Sequence, residues 1–208
     1  MKKDLIELVF ILDKSGSMMK LRKETIKGYN GLLRKQKAEK GEARITTVLF
    51  NHAYEVIHER VDIKKAKLLT YDDYQPYGST ALLDALGKTI TSNYRQISNT
   101  AEEDRPEKTL IVIITDGLEN ASQKYTLRRV TNLITKIKQF SVDFLFLGAN
   151  IDAIKEGMKI GINDNYCCCC ALETDFCENV SEVVSDFRIN KEISEDWDKK
   201  LKIDNELN

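Results

Sequence analysis

Five oxygen-bearing side chains, spread over three short runs, are the residues whose types and spacing suggest chemistry. Asp13, Ser15 and Ser17 lie in Asp-Lys-Ser-Gly-Ser, Thr80 closes Gly-Ser-Thr, and Asp116 is centred in Thr-Asp-Gly. Two carboxylates and three hydroxyls are hard donors, the type that suits Mg2+ or Mn2+, and donor type alone does not separate these two ions. Neutral hydroxyls leave an ion more electrophilic than a cage of carboxylates does. Such an ion seeks an anionic ligand for an open position, most simply a Glu or Asp of a protein partner. The set holds neither a nucleophile–base pair nor a cofactor loop. It therefore points to a binding module, and the chain is expected not to be an enzyme.

Taken singly, each run also has a plain structural reading. Ser15 and Ser17 can cap a helix, as can Ser79 or Thr80 before residues 81–94. Asp116-Gly117 is a common turn dipeptide. Their joint order is far more specific than any one of them. Enzymatic readings fare worse. A phosphoaspartyl transferase needs a second Asp two residues after the first, where this chain has Ser15. A hydrolase nucleophile elbow needs Gly on both sides of the Ser, where Ser15 has Asp13 and Ser17. The two histidines, His52 and His58, lie around the second and third strands, towards the expected sheet edge. An Mg2+-dependent phosphoryl-transfer enzyme remains the lesser alternative, beside an interaction or scaffold domain that does not use the metal for ligand binding.

The elements that must carry these residues alternate along the chain. Apolar runs predict strands at 4–12, 43–50, 54–60, 108–115, 142–148 and 165–171. Amphipathic runs predict helices at 18–38, 63–69, 81–94, 126–138, 151–159 and 176–189. Continuous apolar strands separated by helices argue for an α/β fold with a mostly parallel sheet covered on both faces. Only Asn51-His52-Ala53 separates the second strand from the third. A parallel crossover needs a dozen or more residues, so 54–60 is expected as an antiparallel edge. Residues 95–107 show no period and are expected as a surface loop closed by Pro106. Ligands of open α/β sheets bind outside the carboxyl ends of the strands. Asp13 and Asp116 each end such a strand and meet there if their strands are neighbours. Lys14, Met18, Tyr77, Ser79, Leu118, Glu119, Asn150 and Asp152 then surround the site as candidate specificity residues.

The bulk properties exclude several classes. With 208 residues there is enough chain for one domain with a real core. The 32 basic and 33 acidic side chains give a net charge of −1, which disfavours generic phosphate-backbone binding, so no nucleic-acid partner is expected. The apolar run near Met1 is interrupted by Asp4 and Glu7 and ends in Asp-Lys-Ser, so it reads as a first strand rather than a signal peptide. No stretch approaches the ~20 apolar residues that span a bilayer. No membrane partner and a cytoplasmic location are expected. The five cysteines, at 167–170 and 177, are odd in number and lack zinc-finger spacing. They are expected as buried or half-buried thiols of a late strand in a reducing cell, with a redox or metal role as the alternative.

The order Asp-x-Ser-x-Ser after a first strand, Gly-Ser-Thr opening a helix, and Thr-Asp-Gly after a fourth strand resembles the von Willebrand factor A (VWA) domain and its metal-ion-dependent adhesion site (MIDAS). The resemblance covers residues 4–189 and leaves 190–208 as a charged tail. It implies a doubly wound, six-stranded Rossmann-like sheet of order 3-2-1-4-5-6 with strand 3 antiparallel. It implies that Ser15 and Ser17 bind the metal directly, that Thr80 does so in a ligand-competent state, and that Asp13 and Asp116 act largely through water. It further implies binding of a protein partner through the ion, in some members with a shift of the last helix, here 176–189. The runs TDGLENAS and LGANIDA look closest to bacterial or phage intracellular members. In the tail, Ile189, Ile193, Trp197 and Leu201 recur every four residues, a stripe that suits a helix docked on the chain's own body, with docking on a partner as the alternative.

Overall fold

The central strands of the sheet bury both of their faces, and this places the strand ends that carry the candidate donors. A computed structural model describes residues 1–149, 151–169 and 176–199, with only the backbone at 176–178. Six strands form one sheet in the order β3-β2-β1-β4-β5-β6. They are β1 (Lys2–Asp13), β2 (Glu42–Phe50), β3 (Tyr54–Asp62), β4 (Pro106–Thr115), β5 (Val142–Gly148) and β6 (Cys167–Cys169). All neighbouring pairs are parallel except β2 with β3. The three-residue connection at 51–53 forces that exception, as expected.

Among the described residues five α-helices cover the sheet: α1 (Arg22–Ala38), α2 (Leu82–Asn99), α3 (Leu127–Lys138), α4 (Ala153–Lys159) and α5 (Phe176–Asn190). Alternate residues of β1 divide between them. Leu8, Phe10 and Leu12 pack with Ile26, Tyr29 and Leu33 of α1 and Val184 and Phe187 of α5. Val9 and Ile11 pack with Leu86 and Ile90 of α2 and Val130 and Ile134 of α3. Both faces of the central strands are thus apolar. Their sequences run without polar alternation for that reason.

Four local expectations are corrected. The loop expected at 95–107 is helical as far as Asn99, and Pro106 opens β4 rather than preceding it. Ile97 continues the buried stripe of Leu86 and Ile90, but buried Asn93 interrupts its apolar reading. The helix expected at 63–69 is a single 3-10 turn, Ile63–Lys65. Beyond it the backbone of Leu69 bonds on both sides to the Asn30 side chain, each at 2.8 Å, in place of helical partners. The described part of the tail forms turns rather than a helix after Asn190. Trp197 is nonetheless buried and donates from Nε1 to the Asn165 carbonyl at 2.7 Å, and Ile193 packs on the core beside it. Docking on the chain's own body follows, without the helical stripe; Ile189 faces solvent and Leu201 lies outside the described residues. Cys167 and Cys168 are buried on opposite faces of the sheet, and Cys169 is exposed. Cys170 and the Cys177 side chain lie outside the described residues. No described helix is long and apolar enough to cross a membrane.

Candidate metal centre

The neighbouring strands β1 and β4 run in register from Ile6 opposite Lys108 to Leu12 opposite Ile114, so their carboxyl ends finish side by side. Asp13 is the last residue of β1 and Asp116 follows the last residue of β4. Asp13 is 0% exposed. Its Oδ1 accepts from the Ser15 amide at 2.6 Å and its Oδ2 accepts from the Thr115 hydroxyl at 2.6 Å. The Ser15 and Ser17 hydroxyls are 3.1 Å apart, and Ser17 donates to Asp116 Oδ1 at 2.6 Å. Thr80 enters from a third loop. A Cβ placed on Gly117 would lie 3.0 Å from Thr80 Oγ1, 3.6 Å from Ser17 Oγ and 3.7 Å from Asp13 Oδ2. Three of the candidate donors therefore converge on one small volume, bordered by a residue without a side chain. Hydrogen bonds tie Ser15 and Asp116 to the same group. All five residues named from the sequence are brought together.

The loops that carry them are fastened to one another. The Tyr77 amide donates to the Lys14 carbonyl at 3.0 Å and the Gly16 amide to the Gly78 carbonyl at 2.9 Å. Gly78 has φ +75°, and a Cβ there would lie 2.4 Å from the His52 ring, so only glycine fits without displacing that ring. Buried Asn51 donates from Nδ2 to the Tyr77 carbonyl at 2.9 Å and accepts the Ala81 amide on its own carbonyl at 2.9 Å. Asn120 accepts the Thr80 amide on Oδ1 at 2.9 Å and returns its own amide to the Thr80 carbonyl at 3.0 Å. Glu119 accepts from the amides of Leu83, Ala121 and Ser122, while Asp84 of α2 accepts from the amides of Gln123, Lys124 and Tyr125. These reciprocal caps couple the start of α2 to the loop after β4.

The electrostatics leave the two carboxylates short of positive charge. Burial raises the pKa of Asp13 above the usual carboxylate value, against the bonds from Thr115 and Ser15. Burial also raises Asp116, against the bond from Ser17. Neither carboxylate forms an ion pair among the described residues. Lys14, which adjoins the site in sequence, is buried and pairs instead with Glu55. No group of three His, Cys, Asp or Glu side chains among the described residues could hold a metal alone, so a cation here depends on the hydroxyls.

Of the surrounding candidates, Tyr77, Ser79 and Leu118 face solvent. Met18 is a core residue, Glu119 is turned inward, Asp152 caps α4, and Asn150 lies outside the described residues. His52 stacks edge-on against Tyr77, 5.3 Å between centroids. His58 is buried and bonds to Thr47 at 3.0 Å. Neither imidazole is bonded to a site serine. Thr115, Asn51, Asn120 and Asp84 were not anticipated as site residues. Their roles rest on contacts between loops distant in sequence, which no local pattern signals.

A family model described as the von Willebrand factor type A domain matches residues 7–186. No curated protein matches the chain. Among solved structures the fold is similar to the vWF domain of the type V pili tip protein Mfa5 from Porphyromonas gingivalis. The TM-score is 0.66 at 11% identity, over 91% of this chain and 96% of that one. It is similar to proximal thread matrix protein 1 from the mussel byssus with zinc occupied MIDAS motif, with a TM-score of 0.61 at 16% identity over 89% of this chain and 45% of that one. It is also similar to the manganese-loaded Plasmodium vivax TRAP protein, with a TM-score of 0.53 at 21% identity over 71% of this chain and 58% of that one. The chain thus spans less than half of the mussel protein, and at these identities the likeness is one of fold.

Proposed function

The chain belongs to the von Willebrand factor type A domain family, and from that premise we propose that it is a divalent-metal-dependent protein-binding module rather than an enzyme. Members of the family are generally metal-dependent protein-interaction modules. The observation that carries the reading is the convergence of Asp13, Ser15, Ser17, Thr80 and Asp116 from three loops, with two buried carboxylates that no described cation neutralises. These five residues would hold Mg2+ or Mn2+. The donor set fits, because it consists of hard oxygens, and each hydroxyl that donates its proton to a carboxylate keeps lone pairs for a cation. When bound, the ion supplies a Lewis-acidic position for one carboxylate of a partner.

The residues of the chain have separable tasks in this reading. Thr115 and the Ser15 amide orient the Asp13 carboxylate. Ser17 is oriented by Asp116. Asn51 and Asn120 hold the loop that presents Thr80. The partner is a protein that offers an Asp or Glu, and neither nucleic acid nor membrane belongs to the proposal; the net charge of −1 supports the first exclusion. A cytoplasmic location also belongs to it, supported by the free thiols of Cys167 and Cys169. Calorimetric titration of Mn2+ and Mg2+ into the wild type and into Asp13→Ala tests the metal. Uptake by the wild type that the variant loses is expected, and equal uptake by both rejects the site. Capture of a partner from the native cell with Mg2+, lost in EDTA and in the same variant, tests its use.

A further inference from the structure

Most large apolar side chains of the chain are buried, yet three beside the candidate centre are not. Met19 is 52% exposed, Tyr77 53% and Leu118 55%. Each belongs to a different one of the three site loops. Met19 lies two residues after Ser17, Tyr77 three before Thr80, and Leu118 two after Asp116. Chain reach alone keeps the Cα of each within about 11 Å of the Cα of a candidate donor residue. The loops themselves touch, through Gly16 with Gly78 and through Gly117 with Thr80 and Ser17.

Local folding does not account for this exposure. In Met18-Met19 the first side chain enters the core and the second is sent outward. Tyr77 is fixed on both sides of its backbone, by Lys14 and by Asn51, and its ring rests edge-on against His52, yet half of its surface remains in water. Leu118 follows Gly117, and the next residue, Glu119, is spent on backbone amides. Of the charges close in sequence, Lys14 is paired with Glu55 and Glu119 with the start of α2, while Lys20 stays exposed beside Met19. An apolar collar thus flanks a centre built to attract an acid.

We infer that the partner's acidic residue sits among apolar neighbours: an exposed Asp or Glu flanked by aliphatic or aromatic side chains, which Met19, Tyr77 and Leu118 receive around the centre. This inference rests on the metal-dependent reading above. Apolar contacts around a carboxylate exclude water, and a charge interaction is stronger where water is excluded. The collar therefore sets which acidic segments bind, while the five oxygen donors set whether any does.

A displayed library of random short peptides, selected on the protein with Mn2+ and again with EDTA, tests it. Mn2+ uptake is measured separately by calorimetry on the wild type and on the triple variant Met19→Ser, Tyr77→Ser, Leu118→Ser. We expect Mn2+-dependent enrichment of peptides with an Asp or Glu beside apolar residues. The triple variant should take up Mn2+ as the wild type does and bind those peptides at least about tenfold more weakly. With Mn2+ uptake intact, three outcomes overturn the inference: no Mn2+-dependent enrichment, enriched acids placed among charged residues, or equally tight binding by the triple variant. Absence of Mn2+ uptake by the wild type defeats instead the metal reading beneath it.

Discussion

Replacing Thr115 by Val keeps the volume of a fully buried side chain and deletes one hydroxyl. That hydroxyl donates to Asp13 Oδ2 at 2.6 Å and accepts from the Gly117 amide at 3.2 Å. A hydrogen bond to a charged acceptor contributes about 1.5–3 kcal/mol. Gly117 is only half-buried, so water can replace its lost partner, and Asp13 can take up a proton because burial has already raised its pKa. Both adjustments favour the lower half of the range, about 2 kcal/mol. For a domain of this length that lowers Tm by about 4–8 °C. The assay is thermal unfolding in EDTA of the wild type, Thr115→Val and Thr115→Ser. The serine variant retains the hydroxyl and should recover most of the loss. A valine variant within about 1 °C of the wild type would refute the claim that this hydroxyl holds the Asp13 carboxylate.

Other perturbations have equally definite outcomes. Arg188 is buried and donates to Gln36 and to the carbonyls of Lys40 and Gly41, fastening α5 to the end of α1. Arg188→Ala should destabilise by about 3 kcal/mol in urea unfolding and speed amide exchange in α5. Asn120→Ala removes the acceptor for the Thr80 amide and should weaken Mn2+ binding while costing only about 1 kcal/mol of stability. Trp197→Ala should lower stability by about 3 kcal/mol, since the indole is buried and its Nε1 is bonded; an unchanged urea midpoint would show that the tail is not docked. His58 has a pKa lowered first by desolvation and further by Lys37, against pulls from Lys67 and Asp73. The unfolded chain therefore protonates it first. Its contribution is fully present above about pH 6.5 and is lost as pH falls from there through the lowered folded value. Urea unfolding of metal-free protein across that window should show a slope that His58→Gln flattens.

Fold and site were legible in the sequence to different depths. The six strands could be read because β1, β4 and β5 are buried on both faces and carry unbroken apolar runs, and the edge position of β3 followed from three connecting residues. The five donors could be read from their order along the chain. Thr115 could not, because a β-branched residue at the end of an apolar strand looks like a strand former; its hydroxyl gains meaning only when β1 lies beside β4. Asn51, Asn120 and Asp84 bond across loops that are distant in sequence, so no local pattern marks them. The end of α2 was missed because Asn93 faces inward and bonds its own helix at the Thr89 carbonyl. The segment after β3 was misread as a helix because Ile63, Ala66 and Leu69 are spaced like an apolar stripe, whereas each enters the core separately.

The central claim is that a divalent cation is held where Asp13, Ser15, Ser17, Thr80 and Asp116 meet. Paramagnetic line broadening by Mn2+, followed amide by amide in the NMR spectrum of the isotopically labelled chain, reports that position directly. The account predicts that the signals of Ser15, Ser17, Thr80 and Gly117 vanish at substoichiometric Mn2+ and that Gly41 and Ser141, at the opposite ends of their strands, stay sharp. Broadening centred elsewhere, or none while Mn2+ is in excess, would contradict it.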